Sequence, residues 1–257
     1  MPSFARSSMT SCHIQSRTDR PLKSIEDASD RRHKSWCIHC SRTLLGTSTN
    51  RDHVPSQSLL SRPFPPQLPV VEICTECNVG FSLDEQYFVA FLGAVLSGST
   101  DPEVQKSEVA ARTFASNPTL RARIEASKKE YRTLGGETRI LWIPDDERIK
   151  RVVVKNARGH AYYELGEPML DAPIFVRASP LESMTSEERE DFFSLEGISG
   201  WPEAGSRLMS RLVTGDDFED GWIVVQRDQY RYHIDHSGII RVRAVVAEYL
   251  ATEVVWK

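Results

Sequence analysis

WCIHC at residues 36–40, RDHVP at 51–55 and ICTECN at 73–78 are the stretches whose reading decides the fold of this chain. Two Cys-x-x-Cys turns, Cys37/Cys40 and Cys74/Cys77, bracket an Asp52–His53 dipeptide, and Asn78 follows the last cysteine directly. Each turn brings two sulfurs within about 2.3 Å of one ion, and two such turns close a tetrahedral structural zinc site. These four cysteines are scaffold, shut to substrate. With four thiolates present, His39 is not needed as a ligand, and Trp36 and Ile38 are expected to pack against the metal node.

Asp52 and His53 fall at the end of a candidate strand, where neighbouring side chains point to opposite faces. Asn78 is tied to zinc-bound Cys77, so the zinc node sets its position. Asp52 and Asn78 offer two oxygens to a hard cation such as Mg²⁺, with positions left open for water and phosphate. His53, neutral near pH 7, is suited to take a proton from an attacking water. Together these parts describe a phosphodiester hydrolase.

Outward from the motifs, the segment from Cys40 to Val54 reads as a short two-stranded ribbon. The loop RPFPPQLP at 62–69 carries four prolines, which exclude helix and central strand. Ser82 and Glu85 have capping-box spacing, and Phe88, Phe91, Leu92, Val95 and Leu96 follow at helical spacing up to Gly98. A helix start nearer Cys77, with a break at Gly80, is the alternative.

The order Cys-x-x-Cys, Asp-His-Val-Pro (52–55), Cys-x-x-Cys-Asn (74–78) resembles the HNH endonucleases of the zinc-stapled ββα-metal type, over roughly residues 35–90. The resemblance implies a metal-dependent DNA endonuclease or nickase. In it Asp52 and Asn78 hold a catalytic Mg²⁺ or Mn²⁺, His53 is the general base, and Cys37, Cys40, Cys74 and Cys77 hold structural Zn²⁺. Two features depart from that pattern. No asparagine stands in the loop before the second cysteine pair, where Gln67 is the nearest substitute. Residues 81–85 replace the usual basic residue or histidine, so Asp84 and Glu85 are either further metal contacts or ordinary helix-starting acids.

Composition bounds the rest. Of the 257 residues 40% are apolar and 26% charged, and the net charge of −4 makes the surface as a whole no polyanion magnet. Nucleic acid must therefore meet a local patch, for which Lys34, Arg42, Arg51 and Arg62 are candidates. No apolar run approaches bilayer length and no secretory signal is visible, so a cytoplasmic protein without a membrane partner is expected. The odd count of five cysteines, with Cys12 left over, favours metal thiolates over disulfides.

The chain divides into a flexible N-terminal arm (1–34), the zinc and nuclease module (35–98) and a C-terminal domain (99–257) of unassigned role. The arm is rich in Ser, Arg and Lys, including Arg6, Arg17, Arg20, Lys23, Arg31 and Arg32. Beyond the module, residues 102–134 read as charged helices broken at Asn117-Pro118 and ended by Gly135-Gly136. A short strand at 139–143 and an amphipathic helix over 145–164 follow, the latter weakened by Gly159. Thr185 and Glu188 form a second capping box. The last third reads as antiparallel β, with a turn at 235–238.

The fold class expected is α+β: a small zinc-bound ββα module, then helices, then an antiparallel β region. Tyr162, Tyr163, Trp201, Trp222 and Trp256 are expected in the core or an interface. His233 and His236, around the hairpin, are expected to be exposed; His13, His33 and His160 lack partners at ligand spacing. DNA is the expected partner and RNA the weaker one, with a homodimer or protein contact through the C-terminal region. The competing reading is a catalytically silent, zinc-stabilised nucleic-acid-binding or protein-interaction module.

Overall fold

Thr49–His53 (β1) and Val70–Cys74 (β2) pair antiparallel, with Asp52 opposite Val71 and His53 opposite Val70. The chain is described by a computed structural model over residues 22–29, 34–132, 135–136, 138–195, 202–215, 217–236 and 238–257. The expected ribbon inside Cys40–Val54 is corrected here, since the partner strand lies beyond the proline loop. Between Trp36 and Thr43 only an isolated bridge forms, because the first cysteine turn occupies that segment.

β2 runs straight into a helix, Thr75–Ser97 (α1), whose N-cap is Cys74: its Sγ accepts from the Cys77 amide. The helix start expected at Ser82 is therefore corrected. Ser82 sits mid-helix, donating to the Val79 carbonyl, and Gly80 does not break the helix. The end is as expected, at Gly98 in the left-handed region (φ 70°) that a residue without Cβ adopts freely. By length and composition α1 is also apolar enough to cross a bilayer, against expectation. Its residues Tyr87–Ala94 are instead buried against the rest of the chain.

Two short helices follow, Glu108–Ser116 (α2) and Pro118–Ala126 (α3), broken as expected where the Asn117 side chain caps the second. The glycines at 135–136 do not end α3. That helix stops at Ala126, and Lys128–Arg132 (β3) pairs with Thr138–Trp142 (β4). Asp146–Leu165 (α4) matches the amphipathic helix read from the sequence. Phe175–Pro180 (β5) precedes Ser186–Phe193 (α5), which opens on the Thr185/Glu188 capping box. Arg207–Thr214 forms α6.

The last third is antiparallel β, as read. Phe218–Glu219 (β6), Trp222–Gln226 (β7), Tyr230–His236 (β8), Ile240–Val246 (β9) and Leu250–Trp256 (β10) join β5 in one six-stranded sheet of order β5-β10-β9-β8-β7-β6. The described residues thus form a mixed fold of six α-helices with antiparallel sheets.

α4 is the central element. Its apolar stripe, Ile149, Val152, Val153, Ala157, Ala161 and Leu165, is buried in a cluster that also takes Phe88 and Phe91 from α1 and Tyr230, Val242 and Val254 from the sheet. One core therefore runs across the boundary drawn at residue 98. Trp222 and Trp256 are buried as expected, and Tyr162 and Tyr163 pack at the edge of a second cluster with Val54, Val71 and Ile73.

Three expectations are corrected by packing. Residues 22–29 of the arm lie against the body: Leu22 is in the core, Ala28 N–H donates to the Gly205 carbonyl, and Arg207 donates to the Ile25 carbonyl. His233 is buried beneath the hairpin, its Nδ1 donating to the Gly221 carbonyl at 2.8 Å. Trp36 is 45% exposed and does not cover the cysteines, while Ile38 does lie fully buried among them. Cys12, His13, His33, Trp201 and arginines 6, 17, 20, 31 and 32 lie outside the described residues.

Candidate functional site

The first cysteine turn is closed by its own backbone. Ser41 N–H donates to the Cys37 carbonyl, Cys37 N–H to the Arg42 carbonyl, and Ser41 takes a left-handed φ of 59°. The second turn is the start of α1. All four sulfurs lie within 4.8 Å of one another, and Cys40 Sγ is 3.7 Å from Cys74 Sγ. Four sulfurs tetrahedral about one zinc would stand ~3.8 Å apart, so these four cysteines fit a zinc ion. The N-terminal end of α1 adds a favourable dipole for thiolates. Arg158 of α4 lies close by, donating to the carbonyls of His39 and Asp171. Burial lowers its pKa, while the charges of Cys37, Cys77 and Asp171 oppose that shift.

Zinc analysis of the purified protein is expected to find one ion per chain. Cys77→Ser should lose it and lower the unfolding midpoint, because the metal joins segments 34 residues apart at Cys40 and Cys74. Full zinc occupancy in that variant would exclude the four-sulfur site.

Around the ribbon, the structure departs from what sequence spacing suggests. Asp52 and Val71 share the inner face, and Asp52 is 8% exposed. Its Oδ1 accepts from Lys155 Nζ of α4 at 2.8 Å, and the same ammonium donates to Glu85 Oε1 at 2.6 Å and to Ser56 Oγ at 3.0 Å. Ser56 Oγ also donates to Glu85, and Asn156 Oδ1 accepts from the Ser56 amide at 3.1 Å. All three protons of the buried ammonium are thus satisfied. Among the described residues, Asp52 Oδ2 accepts no hydrogen bond. Burial raises the Asp52 pKa above the usual carboxylate value, against the opposing pull of Lys155.

Glu85 is therefore not a helix-starting residue, as the sequence reading favoured. It is mid-helix and ion-paired. Asp84 is buried too, held by Arg148 Nε at 2.6 Å and Arg151 Nη1 at 2.8 Å.

His53 is half-buried at the end of β1, beside Asp52 and within reach of its charge, and makes no side-chain hydrogen bond among the described residues. Burial lowers its pKa and the Asp52 charge opposes that shift. Asn78 is partly buried in the first turns of α1, also without a side-chain hydrogen bond among the described residues. It lies two turns before Glu85 on the same face, about 10 Å along the axis. Helical side chains lean toward the N-terminus, so Glu85 and Asn78 lean the same way along α1. His39 packs edge-on against the Phe81 ring at 4.8 Å, and burial pushes its pKa down to about 3.

Of the basic residues read as phosphate contacts, Arg42 is paired with Glu76 and Lys34 with Asp27; Arg51 and Arg62 are exposed.

The residues missed in the sequence are on α4. Arg148, Arg151, Lys155 and Arg158 recur at three- and four-residue steps, so they form one stripe along the helix. That stripe meets the module at Asp84, at the Gly80 carbonyl, at Asp52 with Glu85, and at the His39 carbonyl. The basic period was a visible signal, although nothing local names its acidic partners.

Gly159 belongs to the same face. A Cβ there would stand 2.6 and 2.9 Å from the methyls of Val54, the residue after His53. Gly159→Ala is expected to destabilise by about 1–3 kcal/mol through overpacking, outweighing the up to ~1 kcal/mol gained in helix propensity. Denaturant unfolding measures this, and a stabilised variant would show that Val54 moves aside freely.

No family model, curated protein or solved structure matches this chain.

Proposed function

We propose that this protein is a metal-dependent endonuclease of the HNH type that hydrolyses phosphodiester bonds in DNA. The observation that carries the reading is the strand–strand–helix unit β1–β2–α1. It is joined at one end by four convergent cysteines and bears Asp52 and His53 on β1 and Asn78 in the first turns of α1.

In this reading Asp52, through its unbonded Oδ2, and the Asn78 carboxamide hold Mg²⁺ or Mn²⁺. Both are oxygen donors of the kind hard cations take. When bound, the ion supplies charge stabilisation for the phosphoryl group and the leaving oxygen. Lys155 keeps Asp52 oriented through Oδ1 and shares its charge with Glu85. His53 accepts the proton of the attacking water. The lowering of its pKa by burial favours the neutral imidazole, which is the form a general base needs. The zinc node sets the angle at which α1 leaves the ribbon, and so where Asn78 stands.

The test is plasmid cutting by purified protein with Mg²⁺ or Mn²⁺, beside His53→Ala. Cutting by the wild type and none by the variant supports the assignment, and equal cutting rejects it. An assay on RNA in parallel separates the two polymers.

One observation favours a second reading, a zinc-stabilised binding module without turnover. The Asp52 carboxylate is largely buried and already engaged by an ammonium. That reading expects zinc, no hydrolysis under any divalent ion, and binding that survives changes at His53 and Asn78.

A further inference from the structure

The segment that follows the Asp52–His53 dipeptide leads into a cleft outside the cysteine unit. Gln57–Leu59 forms a short 3-10 turn, and this turn, the chain to Phe64 and the start of α2 enclose about 260 Å³. Arg62, Lys106 and Arg112 line the cleft, and all three are exposed. Among the described residues none of them is paired with a carboxylate, although Arg62 stacks over the Phe64 ring at 4.7 Å. Hydroxyls of Ser58, Ser61 and Ser107 stand beside them, and Ser58 Oγ is buried without a hydrogen-bond partner among the described residues. Glu108 is the one acid in the lining.

The wall is held in place from behind. The Gln226 side chain accepts from Ser61 N–H at 2.8 Å and donates to the Ser61 carbonyl at 2.9 Å, tying this loop to β7. On the other side, Gln105 Nε2 donates to the carbonyls of Ser99 and Asp101, fixing the turn before α2. In a chain of net charge −4, three unpaired cations around a fixed, hydroxyl-lined cleft are a local exception. Their chemistry suits the phosphates of an extended strand: charge for the oxygens and hydroxyl donors for direction, with no base-reading group required.

We propose that this cleft holds the sugar–phosphate backbone of the nucleic-acid strand beside the scissile bond. The choice of polymer rests on the nuclease reading above. Position supports it: Gln57 is four residues after His53, so the cleft begins no more than ~14 Å of extended chain from the imidazole. That is about four nucleotides of strand at ~3.4 Å each. A strand that leaves the cleft toward the end of β1 would meet His53 within a short run of phosphates.

The test is binding of a labelled oligodeoxynucleotide, single-stranded and as a duplex, by fluorescence anisotropy in EDTA across a salt series. It compares the wild-type chain, the triple variant Arg62→Glu, Lys106→Glu, Arg112→Glu, and Lys129→Glu as a control on the exposed strand β3. The triple variant is expected to bind roughly 30- to 100-fold more weakly at ~0.1 M salt. For single strands its log–log salt slope should be shallower by about 2, as three phosphate contacts at ~0.7 each imply. Lys129→Glu should stay within about twofold of the wild type.

The proposal is overturned if the triple variant keeps wild-type affinity and slope, if Lys129→Glu weakens binding as much, or if the wild type binds neither form. It is also overturned if a poly-glutamate peptide binds the cleft as tightly as DNA does, which would assign it to an acidic protein. If the triple variant does not fold by its thermal melt, the single variants Arg62→Gln and Arg112→Gln carry the test, each expected to lower the slope by about 0.7. Plasmid cutting separates the two claims. Cutting by the wild type with unchanged binding by the triple variant removes the cleft and leaves the nuclease. Weakened binding with no cutting under either divalent ion removes the nuclease and leaves the cleft.

Discussion

His53→Ala is expected to lower DNA cutting by about 10²–10⁴-fold, the usual contribution of a positioned general base. The fold should be unaffected. His53 is half-buried at a strand end, makes no side-chain hydrogen bond among the described residues, and is neither one of the four clustered cysteines nor a member of the main core cluster. Zinc content and unfolding midpoint should match the wild type, so the loss reads on chemistry alone. His53→Gln keeps the volume without the basic nitrogen and should be equally inactive. If either variant cuts at the wild-type rate, the imidazole does not take the proton and the hydrolytic assignment fails.

Lys155→Met is expected to destabilise the protein by about 3–5 kcal/mol. The ammonium is buried to 2% side-chain exposure and holds Asp52 and Glu85, whose side chains are 10% and 22% exposed. Methionine preserves the stem but leaves two carboxylates facing each other without a cation. Like charges in such a site are penalised well beyond the loss of one hydrogen bond. Adding Asp52→Asn and Glu85→Gln to Lys155→Met should recover a large part of the loss, because the neutral amides remove the uncompensated charge. The triple variant separates this electrostatic origin from packing around the stem. A single-variant effect below ~1 kcal/mol in urea unfolding, with no recovery in the triple variant, would mean the ammonium is not what holds ribbon, α1 and α4 together.

Legibility in the sequence followed the range of the interaction. The two cysteine pairs were readable because a Cys-x-x-Cys turn carries its own geometry, and the sulfurs converge as that spacing implies. The Thr185/Glu188 box, the Asn117 break and the Gly98 stop were readable for the same reason, since each satisfies backbone groups within a turn. Ser82/Glu85 had the same capping spacing and was misread. Cys74 caps the helix two turns earlier, which leaves Glu85 free for an ion pair with Lys155. The ribbon partner was misassigned because β1 skips the proline loop to pair with β2, and strand register depends on what the sheet buries.

The sequence alone therefore determined the metal-binding turns, several helix limits and the β-rich last third, all of them consequences of local backbone and side-chain stereochemistry. Only the tertiary structure decided that α4 lies across the module, bringing Lys155 to Asp52 over 103 residues and Gly159 against Val54. Such long-range pairs are chosen by the shared burial of apolar stripes, and no short window of sequence contains both members.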